Sequence, residues 1–437
     1  MQQARVADSQ PQTLFFPDGS PPNLVTESTA LMQRFPTHRS DQAPNCSPSA
    51  VSVGSLRRGV ISLWTIMVLA TIGLVSLTTV HLGMYSAASG RARLCCESAA
   101  LAAGHAWLSD RLLSSNLQPF ELDALDIECV NAATEISGHY IAGADAVESE
   151  CVQVAADWAD PDQVLQQQAA TPRALRVMYD ETRQRNRASA SLFGILPCRA
   201  AATVAIENAP RGFAVPSGGS LPVFPFTLPE VVASVDGSPG ASSWLDQIEK
   251  FGGPDEFSWI PDQHRFEPGP DGIPEVDLTI NVGDLTGGYS SMVALDFSAP
   301  NQRQQRRWSE TIQTGLLQSD LTSRKMKQLE LASQMEVRPL TSMDLFEASQ
   351  EFAKEKPVPR ILFLSVAGDP DSGGFSGGPT VTISRPVAAR CVETELIGRQ
   401  QLRVRLQPGV LVTSMAVSDR SENAATNRYI YSVRPQN

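Results

Sequence analysis

Arg57-Arg58-Gly59-Val60-Ile61-Ser62-Leu63-Trp64-Thr65-Ile66-Met67-Val68-Leu69-Ala70-Thr71-Ile72-Gly73-Leu74-Val75-Ser76-Leu77-Thr78-Thr79-Val80-His81-Leu82-Gly83-Met84-Tyr85 is the stretch on which the reading of this chain turns. No Asp, Glu, Lys or Arg lies between Arg58 and Arg91, a gap of 32 residues in which His81 is the ionisable side chain of note. Val60 to Tyr85 as a helix spans about 39 Å at 1.5 Å per residue, more than the roughly 30 Å hydrocarbon core of a bilayer. Its twelve Leu, Ile and Val contribute about −4 to −7 kcal/mol to insertion, enough to absorb hydroxyls that bond back to the helix. The expectation is a transmembrane helix, with Arg57, Arg58, Val60, Leu63, Leu69, Leu74, Leu77 and Tyr85 as its anchor residues. Ala87-Ala88-Ser89 has the small residues of a signal-peptidase site. A cleaved signal has an apolar region of only about 7 to 15 residues close to the N-terminus, so an uncleaved anchor fits better.

Charge sets the expected orientation. Arg57 and Arg58 before the segment nearly balance Arg91 and Arg93 after it, so the flanking signal is weak. Residues 1–59 carry five Arg and four acids, net +1; the chain total is −12, which leaves −13 beyond. This favours a cytoplasmic N-terminus and an exported C-terminal region, with the inner membrane as the location. The same acidity excludes a nucleic-acid partner, because a polyanion demands a basic face.

Outward from the anchor, residues 1–56 are rich in Pro, Ser, Gln and Thr without apolar period and read as a disordered tail. Residues 57–118 read as one long helix, because Leu94, Leu101, Leu108 and Leu112 recur at seven, seven and four beyond the bilayer, as a packing stripe. Pro119 marks its expected end. Residues 119–207 read as a first exported α+β unit, with strand-like runs at 126–130, 151–155, 174–179 and 200–207. The Pro/Gly-rich stretch 208–235 reads as a connector. Residues 236–437 read as a second exported unit. Helices are expected there at 301–317, with Trp308, Ile312 and Leu316 on one face, and at 342–353, with Thr341 and Asp344 capping its start. From Arg360 the period becomes two, as in Leu402, Val404 and Leu406 alternating with Arg403 and Arg405, and an antiparallel sheet ends the chain. The fold class expected is α+β: a long N-terminal transmembrane helix running into mixed helices and antiparallel sheet.

Six cysteines, Cys95, Cys96, Cys129, Cys151, Cys198 and Cys391, follow the anchor. Three bridges and six buried thiols are both open readings, although Cys95 and Cys96, about 100° apart on a helix, do not suit one another.

Two motifs carry a family resemblance. Arg57-Arg58-Gly59-Val60 before the apolar run resembles the Arg-Arg-Gly lead-in of TadE/TadG-like proteins of the Flp (tight adherence) pilus-assembly system. Glu97-Ser98-Ala99-Ala100-Leu101-Ala102-Ala103-Gly104 is similar to that family's Asp-Ala-Ala-Ala-Leu-Ala-Gly box, with Cys95-Cys96 in place of its Gln-Asn. Gly194 to Ala205 resembles its strand of Gly and small residues, and the half containing Asp271-Gly272-Ile273-Pro274-Glu275 and Gln407-Pro408-Gly409 resembles the longer exported extension of some TadG-like proteins. The resemblance implies that the first motif enters the bilayer and the second packs under an exported domain. Pilin-type processing is not expected, since Trp64 stands where a prepilin has Glu five residues after the Gly.

No catalytic, cofactor-binding or metal-binding residue is expected. Residues 368–379 resemble a serine-protease Gly-Asp-Ser-Gly-Gly-Pro box but are broken by insertions, and no His sits in a recognisable base motif. Asp369 and Asp371 could hold calcium, yet lack the distal Glu of an EF-hand. Asp296-Phe297-Ser298-Ala299-Pro300 lacks the second Ser of a von Willebrand A metal site. The function expected is therefore that of a single-pass envelope protein acting by anchoring and contact. Its expected partners are the membrane and other envelope or pilus-assembly proteins, with no small-molecule substrate evident. A membrane-tethered hydrolase with an unrecognised site is the alternative.

Overall fold

Helix α1 runs unbroken from Arg58 to Trp107 in the computed structural model. The structure describes residues 58–114, 119–141, 151–157, 172–180, 199–230, 244–250, 252–283, 293–297, 307–354, 357–367, 380–421 and 424–436. The expected tail 1–56, Arg57, Cys198 and the loop with Asp369 and Asp371 lie outside these residues. Residues Thr71–Asn437 make one compact unit. Of Met1–Ala70, the other unit, the described part is the opening of α1.

The helix stops twelve residues short of the expected Pro119. Ser109 is extended (φ −106°, ψ 163°) and a single 3-10 turn follows, Asp110–Leu113. The break has a tertiary cause: Asp110 turns away to accept the Val410 N–H at 2.7 Å and to pair with Arg390 at 2.6 Å. Pro119 instead opens a second helix, α2 (Pro119–Ile141), at the position where a missing N–H costs nothing. Residues 126–130, expected as a strand, lie within it. Leu125, Cys129, Ala133 and Ser137 are its buried residues at a spacing of four, a helical period too long for a five-residue window to show.

Two sheets carry most of the strands. In the first, β1 (Val152–Asp157), β2 (Ala174–Asp180) and β3 (Arg199–Glu207) form a meander. The chain's last strand, β19 (Ile430–Gln436), pairs antiparallel with β3, and short β17 (Leu411–Val412) lies parallel beyond it. In the second, the order is β10 (Val293–Ala294), β6 (Val223–Pro229), β14 (Arg360–Ala367), β15 (Thr380–Ile397), β16 (Gln401–Pro408), β9 (Val276–Asn281). Only β6 and β14 run parallel among those neighbours, and β13 (Gln334–Glu336) adds to the start of β15. Smaller pairings join β4 (Pro210–Phe213) to β12 (Leu329–Glu330) and β18 (Ala416–Ser418), and β5 (Ser220–Leu221) to β11 (Leu316–Leu317). β7 (Phe257–Ile260) and β8 (Arg265–Pro268) form a hairpin.

The stretch expected as a connector, 208–235, thus contributes three strands to the body between Pro210 and Pro229, with Phe224, Phe226 and Leu228 fully buried, and 231–235 lie outside the described residues. Its prolines are compatible with that role because Pro210 and Pro229 sit at strand ends, Pro222 just before β6, and Pro225 where the β6–β14 register shifts. Nor does it separate two units: β19 of the expected second unit completes the sheet of the first.

Helix α3 (Trp308–Thr314) and α5 (Ser342–Lys354) cover the Phe-rich face of β6, with Trp308 5.9 Å from Phe226 and Phe352 6.0 Å from Phe224. The one-turn helix α4 (Gln318–Ser323) lies between them in sequence. Gly315 ends α3 at φ +66°, where a Cβ would run into the Leu221 carbonyl. The expected cap of α5 is present: the Asp344 N–H donates to Thr341 Oγ1 at 3.2 Å, and the Thr341 N–H to the Asp344 carboxylate at 2.9 Å.

Candidate membrane anchor and its packing face

Every side chain described from Ser62 to Arg91 is exposed except His81 and Ala88, which are half-covered. Leu63, Leu69, Leu74, Leu77 and Tyr85 point outward around the whole circumference of α1. An amphipathic helix on a protein surface buries one stripe; an all-round apolar helix belongs in a core or a bilayer, and this one lies in no core. Thr78 Oγ1 donates to the carbonyls of Leu74 and Val75, and Thr79 Oγ1 to Val75 at 2.7 Å, so these hydroxyls are satisfied within the helix. The helix is long and apolar enough to cross a membrane, and none of its most apolar window is buried. Arg58 and Val60 fall in its first turn.

At Ala92 the character changes. Ala92, Cys95, Cys96, Ala99, Ala100 and Ala103 are buried, so the packing face is made of small residues up to the helix end, where the large Trp107 is buried. The expected leucine stripe is only partly that face. Leu108 is buried at 6% exposure, Leu101 and Leu112 lie half-buried against the core, and Leu94 is 57% exposed. The reason is distance: α1 approaches its neighbours too closely for Leu. A Cβ at Gly104 would meet Val433 Cγ1 at 2.9 Å and Val204 Cγ2 at 3.6 Å, which sets the helix directly on β3 and β19. On another side lies α2, where the Cys129 thiol donates to the Ala103 carbonyl at 3.2 Å and the Cys95 thiol points at the Ser137 carbonyl at 4.0 Å. Rising numbers on α1 meet falling numbers on α2, so the two helices are antiparallel. The signal for this face was available as Ala, Cys and Gly at 92, 96, 99, 103 and 104, but residue size drew the reading to Leu.

Cys95, Cys96, Cys129 and Cys151 are buried free thiols and Cys391 is a partly exposed one. Burial pushes the Cys96 thiol up to about 11 and Cys129 up to about 12, so both keep their protons and act as small apolar packing groups. Cys95 and Cys96 are part of the contact surface.

The packed half is locked at its end. Arg390, nearly buried on β15, pairs with Asp110 and stacks on Trp259 with Cζ 4.6 Å from the ring. Gly409 leaves room for this, since a Cβ there would lie 2.6 Å from Arg390 Nη1. Arg405, expected to alternate outward, is also covered: it makes a two-pronged bond to Asp277 at 2.6 and 3.0 Å, a third to Glu256 at 2.6 Å.

The most concentrated acidic group in the body lies beside Arg405. The carboxylates of Asp255, Asp271 and Glu275 accept main-chain N–H groups of Asp271, Gly272, Ile273, Trp259, Glu256 and Phe257, tying the loop 252–275 into shape. Burial raises Asp271 to about 6 and raises Glu275. These acids are engaged by the loop's own amides, which suits a staple better than a proton-transfer group. Among the described residues no three His, Cys, Asp or Glu side chains group as metal ligands. Asp296 and Phe297 are described but Ser298 to Pro300 are not, and residues 368–379 also lie outside the described residues.

Comparison of the chain with protein-family models, with curated proteins and with solved structures returns no match.

Proposed function

We propose that this chain is a single-pass protein of the inner membrane, held by residues 60–85 with its N-terminus in the cytoplasm and the body 92–437 outside, and that it acts by anchoring and protein contact as a TadG-like component of Flp pilus assembly. The observation that carries this reading is the change of character within α1, from apolar on all sides over 62–90 to packed on β3, β19 and α2 from Ala92 onward. A helix continuous across that boundary transmits the position of the bilayer rigidly to the body. Supporting it are the Arg57-Arg58-Gly59 and Glu97-to-Gly104 motifs, the second of which falls on the packing side where the resemblance implies. The helix also runs through Ala87-Ala88-Ser89, which favours an anchor that stays attached.

The test is topological. Protease added to spheroplasts is expected to remove a C-terminal tag and spare an N-terminal one, and the protein is expected to stay in the membrane after carbonate washing with residues upstream of Val60 still attached. A protected C-terminal tag, or a soluble product starting near Gly90, overturns the reading. The pilus role has its own test: deletion of the gene is expected to abolish surface Flp pili, and unchanged piliation overturns that part alone.

A further inference from the structure

Strand β15 outruns its neighbour. Its pairing with β14 ends at Ala389 and a register shift falls at Val392; over 393–397 it continues with β16 on one side and, among the described residues, no strand on the other. That open edge is about 17 Å of backbone. The register sets Glu393 opposite Arg405, Glu395 opposite Arg403, and Arg405 opposite Asp277 on β9, so one face carries a row of acid, base and acid across three strands. The row is unevenly matched. Asp277 holds Arg405 at 2.6 Å and Arg403 at 2.9 Å, whereas Glu393 stands 3.6 Å from Arg405 and Glu395 4.0 Å from Arg403. Glu256 also pairs with Arg405, at 2.6 Å. Two arginines therefore face four acids, and the two acids held least closely are those on the open edge, with side chains 53% and 67% exposed. Ile397 ends the edge exposed, while Leu396, on the opposite face, lies half-buried against the core.

An unpaired edge invites another strand, and charge on it decides which. A second copy of the same edge is refused, because glutamate would meet glutamate; a strand of opposite sign continues the alternation of acid and base across the sheet. We propose that the edge 393–397 of β15 receives an extended segment of a partner protein as an added strand, with Lys or Arg at alternate positions beside Glu393 and Glu395 and apolar residues between them. Main-chain hydrogen bonds to the open edge would supply affinity, and the two glutamates the choice of partner. The apolar residues would extend the layer to which Leu396 belongs. This deepens the contact role proposed above and rests on it, but its test is binding in solution, which neither topology nor piliation decides.

The experiment uses the full chain in detergent micelles and, as probe, a fluorescent end-blocked peptide of about seven residues in which Arg alternates with Val. The peptide is expected to bind with a rise in fluorescence polarisation, and the same sequence with its main-chain nitrogens methylated to bind at least about tenfold more weakly, since it cannot donate to the edge. Glu393→Arg with Glu395→Arg is expected to weaken the Arg peptide at least about tenfold, by setting like charges across the contact, and to gain binding of a peptide in which Glu alternates with Val. Glu310→Arg with Glu330→Arg, the same change of net charge at exposed acids on α3 and β12, is expected to leave the Arg peptide unchanged. Glu393→Gln with Glu395→Gln, expected to weaken it at least about threefold, keeps the question open to measurement if the reversed variant does not fold. A parent protein that ignores the Arg peptide, a methylated peptide that binds as well as the plain one, or binding lost equally in the Glu310 and Glu330 control would each overturn the proposal.

Discussion

The two halves of α1 share a helix and almost nothing else. From Ser62 to Arg91 large apolar side chains face outward on every side; from Ala92 to Gly104 small ones face inward, Trp107 is buried at the helix end, and the outward positions are Arg93, Leu94 and His105. Size and exposure are inverted between them. In the first half nothing in the fold limits bulk, because these side chains are exposed. In the second, bulk is excluded as far as Gly104, because α2 and the β3–β19 surface are rigid and close. Exposed large residues therefore mark the first half of the helix, and buried small ones the part that packs on protein before Trp107.

The sharpest way to break this comparison is to charge the first half. Leu74→Arg with Leu77→Arg adds about 5 to 7 kcal/mol to the insertion cost, comparable to the whole apolar gain of the segment. The carbonate-resistant fraction is expected to collapse while the circular dichroism of the body is unchanged. Retention of the double variant in the membrane would mean that the segment is not the anchor.

Next in size is the lock that ends the second half. Asp110→Ala leaves Arg390 buried without its partner and is expected to cost about 3 to 5 kcal/mol. Measured as melting temperature in micelles, Asp110→Ala should fall well below the parent. Replacing both members, as Asp110→Ala with Arg390→Met, should recover part of the loss. A single variant that melts with the parent would show that the helix end is not held by this pair.

Within the packed half, Leu108→Ala is expected to cost about 2 to 5 kcal/mol, Ala103→Leu about 1 to 3 by overpacking, and Leu94→Ala under about 0.5. Chemical denaturation of the three proteins checks the order. If Leu94→Ala destabilises as much as Leu108→Ala, the leucine stripe and not the alanine face holds the helix.

The smallest effect separates α1 from the body by pH. Asp271 holds its proton to about 6 in the fold and to about 3.9 when unfolded, so the folded state binds more protons between those values. Its contribution is favourable at low pH and is lost as pH rises through about 6. Asp277 acts oppositely: Arg405 holds it below its ordinary value, so its contribution is present above about 3.9 and fades only as pH falls through the lower folded value. Melting temperature is expected to decline from pH 5 to pH 7, and Asp271→Asn to flatten that decline. A decline unchanged in the variant would assign it to another group.

Local signals were legible wherever the physics is local. The uncharged gap from Gly59 to Gly90 lies within one long helix, because apolarity and helix length depend on composition within one segment. Thr341 and Asp344 form their cap because the two groups are three residues apart. Leu402, Val404 and Leu406 alternate into the core of β16 as period two requires. The exposed face of β16 was less legible, because nothing near Arg405 in sequence announces Asp277 and Glu256, which lie more than a hundred residues away.

By itself, then, the sequence determined the mixed α+β class, the long apolar helix and the strands near 152–157, 174–180, 199–207 and 401–408, since each depends on spacing within a few turns or pleats. Tertiary structure alone decided that α1 stops at Trp107, because Asp110 is claimed by Arg390 and Val410. It decided that 210–229 is wall and not linker, because β6 is buried beneath α3 and α5 only when they assemble. It also decided that 71–437 is one unit, because β19 closes on β3 across more than two hundred residues, a pairing no local period encodes. The same holds for the contacts of Gln407, which reach Phe257 and residues 271–275, more than a hundred residues earlier in the chain, and form only in the fold.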